Sequence, residues 1–163
     1  MTIQLSPIGV IRTPHAEAKG TPIQPHWAEG CEGHAEVLAE LTPGLRDLEA
    51  FERIWLIYWF DRAKPAALEV VPFMDTQSHG VFATRAPSRP NPIGISAVRL
   101  LGIEGNRLRL DGLDMLDGTP LLDIKPYLPN CDVFEVKGIG WYAHAQGDGR
   151  ADARFTAIPR GPA

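Results

Sequence analysis

Residues 93–110 read IGISAVRLLGIEGNRLRL, and this stretch decides the class of fold. Two runs rich in β-branched and aliphatic residues, at 93–103 and 107–110, flank the segment Glu-Gly-Asn at 104–106. Such runs, joined by a short segment that contains glycine, are typical of a β-hairpin. We therefore predict a hairpin here and a fold that is built mainly from strands.

The residues outside this hairpin predict further strands. Residues 54–60 (IWLIYWF) are β-branched or aromatic almost throughout, which is typical of a strand buried on both faces, and we interpret Trp55 and Trp59 as core residues. Thr42 and Pro43 predict the start of a short helix, with the proline at the first helical position. Looser patterns predict the remaining strands, at residues 3–12, 34–41, 80–84 and 121–128.

Glycine and proline are abundant, with 16 and 15 of the 163 residues, above the combined ~12% of average proteins. Both residues interrupt helices and favour strands that are joined by turns. We therefore predict a mostly β fold, a small barrel with one or two short helices, in a single domain of residues 1–143. Residues 144–163 lose hydrophobicity and are predicted to form a loosely attached tail without a separate domain. The long loop at 14–34 is expected to be functional or mobile.

The composition excludes several classes of protein. With 44% hydrophobic and 22% charged residues and a net charge of -4, the chain resembles neither a disordered tail nor a membrane protein. No basic region followed by an apolar segment stands at the N-terminus, so no secretory signal is expected. Cys31 and Cys131 are too few for the disulfide framework of a small secreted domain. We expect two free thiols in a soluble, cytoplasmic protein with no membrane partner.

Charge is unevenly distributed along the chain. An arginine-rich block at residues 81–110 contains a single carboxylate, Glu104, whereas the block at 111–135 is acidic apart from Lys125. A basic face on an acidic protein is able to bind an anion such as nucleic acid phosphate. Alternatively, the two blocks pair with each other across neighbouring strands. Composition alone does not distinguish these two interpretations.

Three familiar patterns of chemistry are present only in part. Residues 138–143 (GIGWYA) match a dinucleotide-binding glycine motif, but the helix and second strand that it needs do not follow, which excludes a Rossmann domain. His26, Cys31 and His34 offer zinc ligands in one loop, with His15 upstream, yet their spacing matches no zinc motif and we expect no metal. The clustered aspartates that follow the hairpin are more typical of turns than of catalysis, which leaves a hydrolase as an alternative.

A rigid polar segment follows the strand predicted at 80–84. Residues 85–92 (RAPSRPNP) contain three prolines, which exclude a helix and a central strand, so the segment must form an extended loop. Its arginines are pre-organised donors for an anion or a carboxylate. Asn91 is able to pair with a purine edge, and Asp117 is able to accept from a ribose hydroxyl or an amine. Together these residues predict a polar pocket for a nucleotide-like ligand.

Two sequence blocks resemble the TsaA/TrmO-type tRNA methyltransferases. They are residues 80–96 (GVFATRAPSRPNPIGIS) and 114–129 (DMLDGTPLLDIKPYLP), and residues 8–14 and 44–55 are also similar. The resemblance spans residues 5–143. It implies a small β-barrel rather than a Rossmann domain, and a homodimer with cofactor sites near the subunit interface. The implied reaction is methyl transfer from S-adenosylmethionine to N6 of threonylcarbamoyladenosine at position 37 of tRNA, beside the anticodon.

The resemblance also implies the residues of the site. Cofactor contacts are implied at Ile23, Gln24, Pro25, Asp61, Arg62, Arg85, Ala97, Asp114, Met115, Leu116 and Asp117. The attacking nitrogen loses a proton, for which Asp117 or the side-chain oxygen of Asn91 would be the acceptor, and Tyr127 is a candidate to stack on the base or hydrogen-bond it. Contacts with phosphates of the anticodon loop are expected from Arg89, Arg99, Arg107 and Arg109.

Two other classes of function stay open at this point. One is a barrel that binds nucleotides or RNA without catalysis, and it would bind tRNA without consuming S-adenosylmethionine. The other is an S-adenosylmethionine-dependent enzyme that acts on a small molecule. An assay for methylated tRNA separates both of them from the implied tRNA methyltransferase.

Overall fold

Residues 2–154 are described by the computed structural model, and β-strands dominate their regular structure. The strands are β1 (Gly9–Arg12), β2 (Gly33–Val37), β3 (Arg53–Trp59), β4 (Glu69–Val70), β5 (His79–Gly80), β6 (Ile93–Glu104), β7 (Arg107–Asp111) and β8 (Thr119–Pro126). Helices in this part of the chain are α1 (Pro129–Asp132) and the 3₁₀ helices Pro25–Trp27, Ala39–Leu45, Leu48–Ala50, Val81–Ala83 and Gly140–His144. Six strands close into a barrel in the order β1-β2-β7-β6-β3-β8, and β4 pairs with β5. The predicted mostly β barrel is confirmed.

β6 and β7 form the hairpin that the sequence predicts. They pair in antiparallel register as far as Glu104 opposite Arg107, and the connecting turn places Gly105 at a φ of 61°. Glycine adopts this left-handed conformation without the steric cost that other residues incur. At the opposite side of the barrel, β1 pairs with β8 through Gly9 and Leu121, and this pairing closes the ring of strands.

β3 has one buried face rather than two. Ile54 and Leu56 are fully buried and Tyr58 is 3% exposed, and these side chains point into the barrel. Trp55 and Trp59 lie between them on the outer face and are half-buried. The interpretation of both tryptophans as core residues is therefore wrong. Alternate residues of a barrel strand face opposite sides, so an uninterrupted apolar run does not imply that both faces are internal.

The core fills the inside of the barrel with aliphatic side chains from all six barrel strands. Its aliphatic members on the strands include Ile11, Val37, Ile54, Leu56, Val98, Leu100, Leu108, Leu110 and Leu121. Leu113 and Met115, between β7 and β8, belong to the same cluster and are 0% and 2% exposed. Because these two side chains are anchored in the core, they hold the backbone on both sides of Asp114, which belongs to the candidate site.

Several predicted boundaries differ in the structure. The first strand begins at Gly9 rather than at residue 3, and β2 and β8 end earlier than predicted. The helix predicted from Pro43 is replaced by two 3₁₀ helices, because Asp47 adopts a φ of 68° and interrupts the helical path. In the segment predicted as a strand at 80–84, β5 ends at Gly80 and a 3₁₀ helix follows.

The described part of the C-terminal segment is attached to the long loop. The backbone N–H of Ile23 donates to the carbonyl of Gly149 (2.9 Å), and that of Ala151 donates to the carbonyl of Thr21 (2.8 Å). A Cβ on Gly149 would lie 2.1 Å from the Trp27 ring, so the backbone packs directly on the indole. The segment is therefore not loose as far as residue 154. The rest of the predicted tail, 155–163, lies outside the described residues, and the division into domain and tail stays a prediction.

Two general features complete the fold. Among residues 2–154, no helix is long and apolar enough to cross a lipid bilayer. Cys31 is half-buried in the long loop and Cys131 is exposed in α1, and both are free thiols, as the small number of cysteines predicts. The cytoplasmic location stays a prediction.

Candidate functional site

A cleft of about 980 Å³ opens beside the barrel, and we call it the cleft. It is lined by parts of six segments, within residues 18–27, 58–64, 70–74, 82–95, 114–119 and 139–154. Most of its wall is apolar, with a few charged side chains among them. Small-molecule sites typically combine such a volume with an apolar lining and a few placed polar groups.

A chain of three hydrogen-bonded side chains begins and ends at the wall of the cleft, which Tyr58 and Asp114 line. The Tyr58 hydroxyl donates to Ser96 Oγ (3.0 Å), and Ser96 Oγ donates to Asp114 Oδ1 (2.6 Å). Tyr58 lies on β3 and Ser96 on the neighbouring strand β6, and both side chains point inwards. Gly94 lies directly opposite Tyr58, and a Cβ there would come within 2.2 Å of the tyrosine ring. The glycine therefore makes room for the first member of the chain.

Asp114 titrates near neutrality. Its pKa is raised from 3.8 to about 7, because burial disfavours the carboxylate by more than the hydrogen bond from Ser96 and the charge of Arg85 stabilise it. Burial also raises the pKa of Tyr58 well above 10, so the phenol remains a donor. At neutral pH Asp114 therefore exists in both protonation states, and a cationic group bound in the cleft would favour the carboxylate.

Arg62 brings a guanidinium into the cleft beside Asp61. Its Nε lies 3.5 Å from Asp61 Oδ1, and its Nη2 donates to the backbone carbonyl of Asp117 (2.8 Å). The Nε atom is buried and, within residues 2–154, has no hydrogen-bond partner. A buried donor without an acceptor costs free energy. Within these residues, Nε therefore belongs to an ion pair with Asp61 that lacks a hydrogen bond.

The Arg–Pro loop (residues 85–92) contains neither helix nor strand, as its prolines predict, but it bends at several positions rather than being extended, and Arg89 holds its shape. Nη1 of Arg89 donates to the carbonyl oxygens of Thr84 (3.0 Å) and Ala86 (3.3 Å). Arg85 is exposed instead, and it donates to the side-chain oxygen of Gln24 in the long loop. Arg85 therefore connects two walls of the cleft, whereas the guanidinium of Arg89 is engaged by the backbone around its own loop.

Most of the implied cofactor residues lie in the cleft. They are Ile23, Gln24, Asp61, Arg62, Arg85, Asp114, Met115 and Leu116. Pro25 and Ala97 line a second, smaller groove beside it, and Tyr127 lies there too. These residues come from separate segments of the chain, so their convergence is a property of the fold and not of any one motif.

Two of the residues predicted for cofactor binding or catalysis line neither the cleft nor the second groove. Asp117 Oδ1 accepts the backbone N–H of Thr13 (3.1 Å) and Oδ2 lies 3.6 Å from Arg12, so this carboxylate faces the chain that leaves β1. Its contribution to the cleft is the backbone carbonyl that holds Arg62. Asn91 is exposed near the end of the Arg–Pro loop. The roles of both residues in catalysis stay predictions.

The four arginines expected to contact RNA occupy three different places. They are Arg89 in the wall of the cleft, Arg99 in the second groove, and Arg107 and Arg109 on β7. Arg99 lies 3.6 Å from Glu52, and Arg107 lies 3.8 Å from Glu36. Neither glutamate belongs to the acidic block at 111–135, but Arg99 also lies opposite Asp111 of that block in the ladder of β6 and β7, so the two blocks meet across neighbouring strands at this one pair.

Several residues of the site are absent from the sequence prediction. Tyr58 and Ser96 are polar residues at inward positions of apolar strands, and strict alternation along β3 and β6 would have marked them. Trp141 stacks on His79 with ring centroids 4.9 Å apart, and its Nε1 donates to the carbonyl of Ala83 (2.8 Å). No pattern near Trp141 indicates these contacts, because its partners are distant in sequence.

Comparisons with known proteins agree on one family. Residues 10–133 match the model of the tRNA-methyltransferase O N-terminal domain. The chain is 53% identical over 155 residues to a probable S-adenosyl-L-methionine-binding protein of Pyrococcus abyssi, which covers 93% of this chain and 84% of that protein. It is 37% identical over 138 residues to the tRNA (adenine(37)-N6)-methyltransferase of Escherichia coli K12, which covers 78% of this chain and 59% of the other.

A solved structure is similar in fold as well as in sequence. The crystal structure of TrmO from Pseudomonas aeruginosa superposes with a TM-score of 0.73 at 42% identity, over 86% of this chain and 63% of that chain. The present chain therefore spans less than two thirds of the Escherichia coli protein and of the Pseudomonas structure. Asp61, Arg62, Arg85 and Asp114 all lie inside the stretch that matches the family model.

Proposed function

The chain belongs to the tRNA-methyltransferase O family of S-adenosylmethionine-dependent methyltransferases, and from this premise we propose that it methylates N6 of threonylcarbamoyladenosine at position 37 of tRNA. The observation that carries the proposal is the set of side chains that line the cleft. A carboxyl that titrates near neutrality, the guanidinium of Arg62 beside Asp61 and apolar walls lie together there, within the family-matched part of the chain. We also propose that the protein acts in the cytoplasm.

The residues of the cleft fit S-adenosylmethionine. Its methionyl carboxylate requires donors, which Arg62 and Arg85 in the lining of the cleft offer. Its ammonium group requires an acceptor, which Asp114 offers once ionised. Met115 and Leu116 contribute to the apolar wall on which an adenosyl group would pack. When bound, the cofactor supplies an electrophilic methyl group on sulfur.

The chain's own residues would act mainly by orientation. Methyl transfer is an in-line displacement, so holding the two reactants in line accounts for much of the rate. The Arg–Pro loop suits this role, since its prolines and the hydrogen bonds of Arg89 restrict its conformations. Rigid walls lose little conformational entropy when the ligands bind.

The nitrogen that is methylated must also lose a proton. Asn91 lies between Arg89 and Ile93, which both line the cleft, and its side chain is exposed. We propose that the side-chain oxygen of Asn91 accepts a hydrogen bond from N6 while the proton passes to water. Asp117 would act indirectly, because its backbone carbonyl fixes Arg62.

The proposed reaction is tested with labelled S-adenosylmethionine and two tRNA preparations, one that carries the threonylcarbamoyl group at position 37 and one that lacks it. Nucleoside mass spectrometry should find a new methyl group on N6 in the modified tRNA alone. Methylation of both preparations would contradict the proposed substrate. No product with either tRNA would favour a non-catalytic RNA-binding barrel or an enzyme that acts on a small molecule.

Arg85→Ala should weaken binding of S-adenosylmethionine about tenfold, since a hydrogen bond to a charged group contributes about 1.5–3 kcal/mol and water replaces part of it. Isothermal titration calorimetry measures the affinity directly. Arg46→Ala is the matched control, because Arg46 is 87% exposed by its side chain and pairs only with the neighbouring Asp47. Equal affinities of Arg85→Ala and the wild type would contradict the assignment of Arg85 to the cofactor.

We further propose that the protein is a homodimer. Residues 133–139 expose a run of apolar side chains beyond α1, with Val133, Phe134 and Val136 between 61% and 76% exposed. We call residues 133–139 the arm. Ile139, at its end, is 55% exposed and also lines the cleft. Exposed apolar patches of this kind are typical of protein–protein contacts. A partner chain packed on the arm would therefore lie beside the cofactor site.

Phe134→Asp should convert the dimer into a monomer, because a buried carboxylate at the contact carries a large desolvation cost. Size-exclusion chromatography with light scattering gives the mass of the species. Leu68→Asp serves as the control, since Leu68 is 70% exposed but lies far from the arm in sequence. A monomeric wild type, or a dimer that survives Phe134→Asp, would rule out this arm as the contact.

A further inference from the structure

The second groove, of about 450 Å³, lies on the outer face of the barrel. Its centre consists of outward side chains from two paired strands, Arg53 and Trp55 on β3 and Ala97 and Arg99 on β6, with Tyr127 just after β8. The groove is continuous with the cleft, because Gln24, His26, Arg85 and Ile95 line both. A polymer that enters the cleft with one of its units therefore places the neighbouring unit beside the groove.

Two like charges lie side by side in the groove. Arg53 is directly opposite Arg99 in the ladder of β3 and β6, an arrangement of like charges that destabilises a sheet, while Asp111 lies opposite Arg99 on the other side, in β7. The guanidinium of Arg53 donates to the carbonyl of Ala97 (3.3 Å), and that of Arg99 makes a loose pair with Glu52 at 3.6 Å, whose side chain is 77% exposed. This cationic pair is suited to a phosphate group.

The other charged groups of the groove do not cancel this pair. Arg85 adds a third guanidinium, and the carboxylates are Glu29 and Asp111. Asp111 Oδ1 accepts the backbone N–H groups of Gly30 and Gly112, both at 2.8 Å, and so holds the long loop. Glu29 is exposed. The three arginines outnumber the two carboxylates that line the groove.

An aromatic pair lies next to the arginines. The rings of Trp55 and Tyr127 have centroids 5.5 Å apart and are tilted by 56°. Trp55 Nε1 donates to Asp132 Oδ2 (3.0 Å), and the Tyr127 backbone N–H donates to the carbonyl of Arg53 (3.1 Å), so both residues are fixed. Opposite Trp55 the side chain is only that of Ala97, which leaves space over the floor of the groove.

We propose that the second groove binds the nucleotide adjacent to the target adenosine, with its phosphate on Arg53 and Arg99 and its base against Trp55 and Tyr127. Aromatic side chains beside arginines are the usual means by which proteins hold single-stranded RNA, since every base offers a face for stacking. This inference rests on the proposed function, because it takes the target base to lie in the cleft. Tyr127 would then contact the neighbouring nucleotide and not the methylated one.

The proposal is tested by the binding of a fluorescent anticodon stem–loop RNA that contains threonylcarbamoyladenosine at position 37. Tyr127→Leu and Arg99→Gln should each weaken binding about tenfold, whereas Arg46→Gln should bind like the wild type. Affinity for S-adenosylmethionine should stay unchanged in all variants, which shows that each is folded. In steady-state assays, KM for tRNA should rise while kcat changes little, because the groove lies outside the cleft.

A second RNA series identifies the bound nucleotide. Stem–loops with an abasic residue on the 5′ or the 3′ side of position 37 should lose about tenfold in affinity for the wild type at one of the two positions. The same abasic RNA should bind Tyr127→Leu no more weakly than the intact RNA does, because the stacking partner is already missing. Equal losses in the wild type and in Tyr127→Leu, or unchanged binding by both groove variants, would overturn the proposal.

These experiments distinguish a failure of the proposed RNA site from a failure of the proposed reaction. If the wild type binds the stem–loop through Tyr127 and Arg99 but methylates no tRNA, the proposed reaction is wrong and the groove remains an RNA site. If the wild type methylates modified tRNA while Tyr127→Leu and Arg99→Gln leave binding and KM unchanged, the groove is not an RNA site and the reaction stands. If the wild type does not bind the stem–loop, the proposal that the second groove is an RNA site is wrong.

Discussion

Asp114→Asn is expected to weaken binding of S-adenosylmethionine by about 10–100-fold while it stabilises the fold at neutral and alkaline pH. The loss of affinity follows from removal of the one carboxylate that Ser96 presents to the cleft, at a cost of about 1.5–3 kcal/mol for a charged hydrogen bond. The gain in stability follows from burial, which makes the ionised carboxyl unfavourable in the folded state. Calorimetric titration and chemical denaturation measure the two effects.

The direction of the stability change in Asp114→Asn follows from the pKa of Asp114. The pKa of Asp114 is about 7 in the folded protein and near 3.8 without burial, so the folded state holds the proton more tightly. The stability that this proton contributes is complete below the lower value and is lost as pH rises from about 4 to 7. Over that range the loss is on the order of 4 kcal/mol, from 1.36 kcal/mol per pKa unit. The stability gap between Asp114→Asn and the wild type should therefore open between these pH values.

Cofactor affinity should follow the opposite course. The wild type should bind S-adenosylmethionine less tightly as pH falls below 7, because Asp114 must first release its proton, whereas Asp114→Asn should lack this dependence. Asp123→Asn is the matched control, since the Asp123 side chain is 47% exposed and pairs with Lys125 at 2.8 Å. A variant that binds the cofactor like the wild type, or that gains no stability at pH 8, would contradict the assignment.

Gly94→Ala is expected to destabilise the protein by about 1–3 kcal/mol and to reduce cofactor affinity at the same time. The added Cβ would lie 2.2 and 2.5 Å from Cε2 and Cζ of Tyr58 and 2.9 Å from Cζ of Phe60. The tyrosine ring has to move, at a cost typical of overpacked cores, and its hydroxyl then no longer supports Ser96 and Asp114. Thermal or urea denaturation gives the stability.

Gly44→Ala provides the comparison for this substitution. A Cβ on Gly44 meets nothing within 4 Å, so its effect should stay within about 0.5 kcal/mol. Tyr58→Phe keeps the ring and removes only the hydroxyl, which separates the hydrogen-bonded chain from the packing. If Gly94→Ala were as stable as Gly44→Ala, the close approach of β6 to Tyr58 would not exist in solution.

The positions of the barrel strands were largely predictable from the sequence. Which side chains of a strand point into the barrel was harder to predict. The hairpin at 93–110 has both a local turn signal and two apolar runs, and the structure places β6 and β7 there. At 54–60 the apolar run located β3, but it did not reveal that Trp55 and Trp59 face outwards. That orientation depends on the closed barrel, which offers one interior to each strand.

The site was predictable in composition and less so in geometry. Arg85 and Asp114 stand in recognisable blocks, and the fold brings both to the cleft. Asp117 belongs to the same block, yet its side chain turns to Arg12 and Thr13, because adjacent residues of an irregular segment point in different directions. Trp141 was unpredictable, since its partners lie on segments remote in sequence.

The pairing of β1 with β8 has a consequence for the synthesis of the protein. Gly9 leaves the ribosome 112 residues before its partner Leu121. Contacts between such distant residues slow folding, and the unpaired edges of the early strands are exposed to aggregation meanwhile. A nascent chain therefore has no complete cleft until β8 and residues 139–154 have left the ribosome, because those residues line the cleft too.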